Sequence, residues 1–593
     1  MVESESGAFL GVGQSVGGKR WTLRAGDERA ALQMAQQLGL PEIVARVLAG
    51  RGVDIDAAPH FLEPRLRDQL PDPSHLKDMD KAAARLAAAI REGRPIAVFG
   101  DYDVDGATSS ALLHRFIGQA GGRVRVYIPD RIKEGYGPNA EALLRLHAEG
   151  AGIVVTVDCG TTAHQPLARV AEAGLDVIVI DHHAAEPSLP PAFAIVNPNR
   201  LDESSPHRQL AAVGVTFLLA VATNRALRQA GWYAARPEPD LLELLDLVAL
   251  GTVCDVVPLT GLNRALVAQG LKVVAQRRKA GLIALADVAR IEQRCGTYHL
   301  GFIFGPRVNA GGRVGAADLG TRLLTTDDPH EARAIAMDLD RLNRERQTIE
   351  AAVLEAAHTA VAAKAAGGIV LAAGEGWHQG VIGIVASRLR EHYERPACVV
   401  TFDGDIGKGS GRSANGFDLG AAVIAARQSG LLMNGGGHSQ AAGFTLARDA
   451  LSEFEAFLNG RMAEHLASGR FVPRMSVDGA LALRSVSPEL VELLERVGPY
   501  GVGNPEPRFV FPGVIVARAD IVGEKHVRCI LADQQGGRLS GIAFRSVGTR
   551  LGDALLARGG AGLHLAGTLR ADHWRGEMRV QFCIEDAAPV QPN

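Results

Sequence analysis

The chain has 593 residues, of which 47% are hydrophobic and 22% are charged, and its formal net charge at pH 7 is -3. This length excludes a single domain, since domains usually contain roughly 100–200 residues, and the composition is that of a folded globular protein. The near-neutral charge excludes a basic surface over the whole chain, so any surface that binds nucleic acid has to be local.

The six cysteines are scattered, and no two of them form a CxxC pair. Their spacing argues against a disulfide framework or a zinc site and favours a reducing compartment. The first residues, MVESESGAFLGVGQ, lack the pattern of a signal peptide. No uninterrupted apolar run reaches the roughly 18 residues of a membrane-spanning helix. We therefore expect a cytoplasmic protein.

The predicted elements change in character along the chain. Residues 1–75 predict a helical N-terminal segment with loops. In residues 76–325, short β-branched runs such as PIAVF, VRVYI, IVVTV and VIVI alternate with helical stretches, which is typical of a parallel sheet covered by helices. Residues 326–366 predict one or two long helices, capped by Asp328 and begun by Pro329, that connect two lobes. An ordinary helical hairpin is the alternative.

The last third of the chain predicts two further parts. Residues 367–468 form a second α/β segment with three glycine-rich patches. Residues 469–593 contain strand-like runs at regular spacing, which predict a small β-barrel. The predicted fold class is α/β, with a parallel-sheet domain, a second α/β domain joined to it by a long helix, and a C-terminal β-barrel.

Three aspartates, Asp101, Asp103 and Asp105, crowd the sequence DYDVDG directly after a predicted strand. The spacing fits the start of an EF-hand calcium loop, but Leu112 stands where the loop needs its bidentate Glu, and an EF-hand begins with a helix. We therefore reject the calcium loop. Carboxylates this close raise one another's pKa, so a cation is expected to hold them.

Further acidic residues end later elements: Asp158 follows IVVTV, Asp181 with His182 and His183 follows VIVI, and Asp255 follows an apolar helical run. The carboxyl ends of parallel strands share one edge of a sheet, so these side chains should converge. A single Asp after a strand is usually a helix cap, but the joint pattern predicts a metal centre. Carboxylates and imidazole without thiolate suit Mn²⁺ best, with Mg²⁺ as the alternative.

The motifs DYDVDG, VDCG, DHH and GTVCDVVPL resemble, in this order, those of the DHH phosphoesterase superfamily. The longer runs GPRVNAGGRVG, GWHQGVIGIVASRL, GGGHSQAAGF and VGPYGVGNPEPRF resemble one branch of it, the RecJ family, from about residue 40 to about residue 585. This resemblance implies a DHH domain, a DHH-associated domain and a C-terminal OB-fold. It also implies a metal-dependent 5′→3′ exonuclease that degrades single-stranded DNA to mononucleotides in DNA repair and recombination.

The resemblance also implies the ligands of two metal ions. Asp103 is assigned to one ion and Asp105 to the other, Asp158 bridges them, and His182 and Asp255 complete the second site. Two such ions, roughly 3.5–4 Å apart, activate a water and stabilise the leaving oxygen of an in-line displacement. Nothing in the sequence resembles a Ser–His–Asp arrangement.

The first ligand position departs from the superfamily pattern. Many members carry a His four positions before the motif residue Asp103, where this chain has Phe99. Either Asp101 supplies the missing ligand or one metal ion is held more weakly. Asp181 is expected to orient a histidine from outside the ligand set. His183 is expected to contact phosphate or donate a proton.

The glycine-rich patches of the second lobe are expected to bind phosphate. GKGSGRSANG offers backbone N–H groups together with Ser410 and Arg412, which is a phosphate-binding combination. NGGGHSQAAGF offers close backbone approach at Gly436 and Gly437 together with His438. An isolated patch of this kind is more often a turn.

Two more segments complete the predicted substrate contacts. GPRVNAGGRVG supplies Arg307, Asn309 and Arg313, whose arginines have no acidic neighbour in the sequence and which we expect to form a 5′-end pocket with His438. The barrel is expected to bind single strands through basic and stacking side chains, for which the candidates are Trp574, Arg570, His573 and Arg575.

The alternatives are a DHH-family phosphodiesterase of oligonucleotides or cyclic dinucleotides, a pyrophosphatase, and a non-catalytic DHH replication scaffold. The section after residue 470 argues for a long strand as substrate, and the retained acids argue against the scaffold. The resemblance implies single-stranded DNA as a partner, together with a single-stranded-DNA-binding protein and a RecQ-type helicase. No membrane partner is expected.

Overall fold

The structure is a computed structural model that describes residues 7–130, 134–135, 137–363, 367–467, 473–557, 562–574 and 577–590. Its contacts divide the chain into two compact units. Unit 1 comprises Met1–Asp72, Val256–Lys272 and Val472–Asn593, and unit 2 comprises Pro73–Asp255 and Val273–Phe471. No helix in the described ranges is long and apolar enough to cross a membrane.

The N-terminal segment of unit 1 is mainly helical. It contains strand β1 (Arg20–Leu23), which the sequence reasoning did not predict, and helices α1 (Glu28–Leu38), α2 (Glu42–Ala49), α3 (Ala58–Leu62) and α4 (Leu66–Gln69). Helix α1 begins where Asp27 accepts hydrogen bonds from the N–H groups of Arg29 and Ala30, and it ends at Gly39 in the left-handed conformation.

Unit 2 begins with a five-stranded parallel sheet. After helix α5 (Met79–Arg91), its strands are β2 (Pro95–Gly100), β3 (Arg123–Tyr127), β4 (Ile153–Val157), β5 (Val177–Ile180) and β6 (Ala194–Val196), in the order β3-β2-β4-β5-β6. Helices α6 (Val104–Gln119), α7 (Ala140–Ala148), α8 (His164–Glu172) and α9 (Ala212–Gln229) accompany it. Strands β4 and β5 are buried along their whole length, which explains their continuous apolar sequence.

A helical region follows the sheet. It consists of α10 (Leu245–Cys254), α12 (Ala280–Val288), α13 (Thr297–His299), a π-helical turn (Leu300–Phe304), α14 (Gly305–Val314), α15 (Leu319–Thr325) and α16 (Pro329–Ala362). Helix α11 (Gly261–Val274), between α10 and α12 in the sequence, belongs mostly to unit 1. Helix α16 is one continuous helix of 34 residues, capped by Asp328 and begun by Pro329. Its later residues Val353 and Ala357 belong to the core of the following α/β segment.

The second sheet of unit 2 is mixed. Its strands are β7 (Val370–Glu375), β8 (Ala397–Asp403), β9 (Ile406–Arg412), β10 (Asn434–His438) and β11 (Ala441–Ala447), in the order β10-β11-β9-β8-β7. Only β7 and β8 pair in parallel among these strands. Helices α17 (Gln379–Tyr393), α18 (Leu419–Gln428) and α19 (Leu451–Ala467) complete this part.

The C-terminal part of unit 1 is a closed barrel. Strands β14 (Arg508–Val522), β15 (His526–Ala532), β16 (Arg538–Ala543), β18 (Glu577–Pro589) and β17 (Leu563–Trp574) pair in this order, and β17 pairs back to β14. The remaining elements are β12 (Arg474–Val477), β13 (Gly479–Ala480), α20 (Pro488–Val497) and α21 (Arg550–Leu556). Phe509, Phe511 and Phe582 fill the interior. The predicted domain boundaries stay a prediction.

A buried ion-pair network attaches the N-terminal segment to the barrel within unit 1. The side chain of Asp478, only 1% exposed, accepts hydrogen bonds from Arg24 Nε at 3.1 Å and from Arg51 Nη1 at 3.2 Å. Arg51 also donates to Asn504 at 2.7 Å, and β1 pairs with β12. Each buried charge is therefore compensated by a partner from another part of the chain.

We expect Asp478→Ala to lower the free energy of unfolding by about 3 kcal/mol, because it leaves two arginines without their buried counter-charge. Urea titration followed by circular dichroism measures this change. The matched control is Asp287→Ala, which removes the exposed ion pair with Arg277 and should cost less than about 1 kcal/mol. Equal losses in the two variants would contradict the structural role of Asp478.

Candidate metal centre

Six aspartates and two histidines meet at the carboxyl edge of the first sheet. They lie directly after β2, β4, β5 and α10 and are Asp101, Asp103, Asp105, Asp158, Asp181, His182, His183 and Asp255. Strand β2 has β3 on one side and β4 on the other, so the strand order reverses between the ends of β2 and β4. A crevice at such a reversal is the usual ligand site of an open parallel sheet.

Three groups of side chains bring their ligand atoms within 4.8 Å of one another. The groups are Asp101 with Asp103 and Asp158; Asp105 with His182 and Asp255; and Asp158 with His182 and His183. His182 Nε2 lies 3.4 Å from Asp158 Oδ1, 3.6 Å from Asp255 Oδ2 and 3.9 Å from Asp105 Oδ2. These separations exceed hydrogen-bond lengths, and a small cation between the atoms would account for them.

Backbone N–H groups fix Asp105. Its Oδ2 accepts from Ala212 N at 2.7 Å and its Oδ1 from Val213 N at 2.8 Å, in the first turn of α9. The side chain is almost fully buried. Because apolar residues supply these donors through their backbone, side-chain chemistry gave no signal for them in the sequence.

Asp158 has a left-handed backbone, with φ of 62°. Its N–H continues the strand pairing to Ile180 O at 2.9 Å, so the chain turns directly after the last strand hydrogen bond. A left-handed aspartate is uncommon and costs about 1 kcal/mol or more. The turn brings its carboxylate close to ligands from both β2 and β5.

Asp181 holds the ring of His183 through a hydrogen bond. Its carboxylate accepts hydrogen bonds from His183 Nδ1 at 2.8 Å and from the N–H groups of His182 and Thr161. Burial raises the pKa of Asp181, but the hydrogen bond and charge of His183 outweigh it, so the pKa lies below its usual range. Burial lowers the pKa of His183, but the hydrogen bond and the charge of Asp181 raise it above its ordinary value.

The pKa of His182 shifts in the opposite direction to that of His183. Burial, with a smaller contribution from the charge of His183, lowers its pKa to about 4. The ring is therefore neutral at pH 7, which is the form that binds a metal ion.

The remaining buried acids have raised pKa values. Burial, followed by the charges of neighbouring carboxylates, raises the pKa of Asp105 to about 7 and that of Asp255 to about 9. The same causes raise the pKa of Asp158 well above its ordinary value. The protein thus holds several carboxylates that are unfavourable as anions unless positive charge reaches them.

These residues fit a divalent cation. Asp255 Oδ2 and His182 Nε2 are buried and have no hydrogen-bond partner in the described part of the chain. The donors are carboxylate oxygen and imidazole nitrogen, which hard and borderline cations prefer. Phe99, four positions before Asp103, is fully buried in the hydrophobic core. Asp101 lies within the first ligand group.

Two asparagines that the sequence reasoning missed hold the histidine loop. Asn199 Nδ2 donates to His182 O at 2.6 Å, and Asn197 Nδ2 donates to His183 O at 2.8 Å. Asn199 N also donates to Asn197 Oδ1 at 2.7 Å. Both follow β6 in the sequence VNPN. Their position after a strand of the same sheet was the signal that could have found them.

The second sheet aligns the predicted phosphate-binding residues in rows. Arg412 of β9 and His438 of β10 both pair with Ala441 of β11, the strand between them. Ser410 and Gly436 both pair with Gly443 of β11. Residues paired in this way point to one face of a sheet. Helix α17 packs against this face at β9, where Gly383 lies beside Ser410 and Arg412, whereas Gly443 and His438 are exposed.

Arg412 is the best-placed cation of this face. It donates to Ser410 Oγ at 3.2 Å and to Gly411 O at 2.8 Å, and no carboxylate pairs with it among the described residues. Burial lowers its pKa. Gly437 pairs with Ala442 in the adjacent row. A partly buried arginine that has no carboxylate partner is suited to bind an incoming anion.

The candidate residues of the GPRVNAGGRVG segment differ in their partners. Arg307 forms an ion pair with Asp340 of α16 at 2.9 Å, a partner that its local sequence did not offer. Arg313 Nη1 donates to Gly380 O at the start of α17, the helix whose Gly383 adjoins Arg412. Asn309 is partly buried on α14. The side chains of Trp574, His573 and Arg575 lie outside the described residues, and Arg570 forms an exposed ion pair with Glu506.

Family models match three parts of the chain: the DHH family, N-terminal domain, at residues 95–252; the DHHA1 domain at residues 363–464; and the RecJ OB domain at residues 477–586. With the observed sheets and barrel, these matches confirm the predicted fold class.

The chain is 38% identical over 566 residues to the single-stranded-DNA-specific exonuclease RecJ of Dickeya dadantii (strain 3937), a match that covers 93% of this chain and 96% of that protein. It is also similar to two crystal structures of RecJ from Thermus thermophilus. The complex with Mn²⁺ has a TM-score of 0.79 at 32% identity and covers 96% of this chain and 79% of that one. The complex with Mg²⁺ has a TM-score of 0.74 at 30% identity, with 96% and 78% covered. The chain therefore belongs to the RecJ family of single-stranded-DNA-specific exonucleases.

Proposed function

We propose that this chain is a divalent-metal-dependent exonuclease that degrades single-stranded DNA from its 5′ end to mononucleotides, in DNA repair and recombination. The observation that carries this function is the convergence of three groups of possible metal ligands at one sheet edge. The same unit contains a partly buried arginine, Arg412, that has no carboxylate partner among the described residues. Relatives that act on single-stranded DNA and bind Mn²⁺ or Mg²⁺ support the same function.

The proposed metal ligands follow the geometric groups. Asp101, Asp103 and Asp158 would hold one divalent ion. Asp105, His182 and Asp255, together with the shared Asp158, would hold a second. When bound, such ions supply an activated water and stabilise the leaving oxygen.

The protein's own residues prepare this site. Asp105 is held rigid by two backbone N–H groups, and the Asn199 side chain fixes the His182 loop. His183, whose pKa Asp181 raises above its ordinary value, lies beside the proposed ligands and would donate a proton or a hydrogen bond to the phosphate.

The second sheet supplies the proposed substrate contacts. Arg412 and Ser410 would bind the terminal 5′-phosphate, and His438 and Gly436 would line the same face, with the backbone of Gly437 between them. Arg313 reaches the first turn of α17 from the other lobe, so it would contribute to the same pocket. Arg307 is the weaker candidate because Asp340 already neutralises it.

The proposal also covers the cellular location and the protein partners. All six cysteines are free thiols, which agrees with the proposed cytoplasmic location. A single-stranded-DNA-binding protein and a RecQ-type helicase are the proposed protein partners. The C-terminal barrel would hold the strand behind its 5′ end.

We expect Asp158→Ala to lower kcat on single-stranded DNA at least about 100-fold, because both proposed ions lose a shared ligand. Release of mononucleotides from a labelled strand in Mn²⁺ measures this loss. Asp287→Ala, an exposed change, is the control and should retain full activity. The proposed function fails if Asp158→Ala retains parental turnover, or if the parent cleaves only dinucleotides.

The metal-free protein is expected to lose stability as pH rises. Asp105 and Asp255 have folded pKa values of about 7 and about 9, above the roughly 3.9 of an unfolded aspartate. The folded state binds these protons more tightly, so their stabilisation is complete below pH of about 4 and is lost as pH rises through 7 and 9.

Thermal unfolding between pH 6 and pH 9, in EDTA and in Mg²⁺, tests this expectation. The unfolding temperature in EDTA should fall more steeply with pH than it does in Mg²⁺, and Asp255→Asn should reduce the difference. Parallel pH profiles in EDTA and Mg²⁺ would show that these carboxylates do not control stability.

We expect Arg412→Ala to raise KM for 5′-phosphorylated strands about tenfold or more, because a charge-assisted contact to phosphate is lost. Strands with a 5′-hydroxyl should be affected much less. Arg448→Ala, which removes an exposed ion pair in the same lobe, is the control. If Arg412→Ala weakens both substrates equally, Arg412 does not read the terminal phosphate.

A further inference from the structure

Two aromatic rings stack on each other at the surface of unit 2. Tyr298 and Phe302 have ring centroids 5.3 Å apart and an interplanar angle of 25°. Tyr298 is 58% exposed and Phe302 is 72% exposed. Rings of this size are normally largely buried, so an exposed stacked pair calls for a partner.

The surrounding turn holds this pair in place. The π-helical turn Leu300–Phe304 buries its first and last side chains completely and directs Phe302 outward. At its start, His299 Nδ1 accepts from Gly296 N at 3.1 Å, and its Nε2 lies 3.0 Å from the side-chain amide of Gln293. Single π-helical turns inside helices are frequent at functional sites.

The pair also lies on a segment next to the candidate metal centre. Leu300 O accepts a hydrogen bond from Cys254 Sγ at 3.4 Å, and Cys254 directly precedes the ligand Asp255. Beyond the turn, the chain continues straight into α14. A Cβ at Gly312 of α14 would lie 2.9 Å from Tyr102 O, so this helix packs against the DYDVDG turn.

The local charge favours an anionic partner. Arg290 and Arg294 are exposed, and the structure records no ion pair for either of them within the ranges it describes. Glu292 and Gln293, between them in the sequence, are exposed as well. Exposed aromatics on a segment that also carries exposed arginines are the combination that binds single-stranded nucleic acid, whereas a protein interface has an apolar centre.

We propose that Tyr298 and Phe302 form a stacking platform for nucleobases of the single strand whose phosphodiester is cleaved at the metal centre. Every nucleobase has a π-face, so the platform would hold the strand without reading its sequence. The exposed arginines would contact the neighbouring phosphates. This inference rests on the proposed function, because it needs a single strand as substrate.

The first test measures binding in EDTA, where no cleavage occurs. The variants are Tyr298→Ala, Phe302→Ala, the double variant and Phe302→Leu, with Leu201→Ala as the control at an equally exposed apolar position. The probe is a short oligothymidine that carries one 2-aminopurine. We expect the double variant to weaken binding about fivefold or more, and Phe302→Leu to weaken it as much as Phe302→Ala.

The second test separates stacking from other contacts. The parent should bind a strand with abasic sites more weakly than oligothymidine of the same length, and the double variant should not distinguish the two. With Mn²⁺, the double variant should raise KM while kcat and the affinity for Mn²⁺ stay within about twofold of the parent. Rescue by Phe302→Leu would show apolar contact instead of stacking and would overturn the inference.

The two proposals fail in different ways. If the parent does not degrade single-stranded DNA, the proposed function falls. If the parent degrades it and the double variant keeps the parental KM and binding affinity, only the stacking platform is overturned.

Discussion

Electrostatic repulsion among buried carboxylates is the constraint on which the rest of this structure depends. Asp105, Asp158 and Asp255 lie close together, and all have raised pKa values because burial and mutual charge disfavour their anions. Hydrogen bonds from backbone groups offset only part of this cost, at Asp105. A divalent cation at this position would offset the rest of this cost, so the same arrangement that disfavours the anions without metal would favour metal binding.

The fold supplies rigid support around that site. The parallel sheet and the end of helix α10 bring Asp101 and Asp255, 154 positions apart, to one edge. The reversal of strand order between β2 and β4 is the usual place for a ligand crevice. Asparagines after β6 hold the histidine loop, and Asp181 sets the charge of His183. The pKa values of the consecutive residues His182 and His183 shift in opposite directions, because burial dominates at His182 and the pairing with Asp181 dominates at His183.

Much of the fold and the core of the site could be predicted from the sequence. Short β-branched runs followed by acids specify both the strands and the edge where the acids meet, since the carboxyl ends of parallel strands coincide. What could not be predicted depends on long-range contacts or on the backbone. The ion pair of Arg307 with Asp340 spans 33 positions, the donors to Asp105 are backbone N–H groups of apolar residues, and β1 forms only because β12 pairs with it. The residue roles and the domain boundaries stay predictions.

The left-handed backbone of Asp158 has an evolutionary consequence. Glycine adopts this conformation without steric cost, so replacing the aspartate with glycine would relax the turn and remove a buried carboxylate at once. Selection for stability alone would therefore favour glycine at this position, whereas the proposed role in metal binding would favour the acid. A descendant of this chain that no longer needed the metal could gain stability by losing this proposed ligand, so glycine at this position in a homologue would indicate lost catalysis.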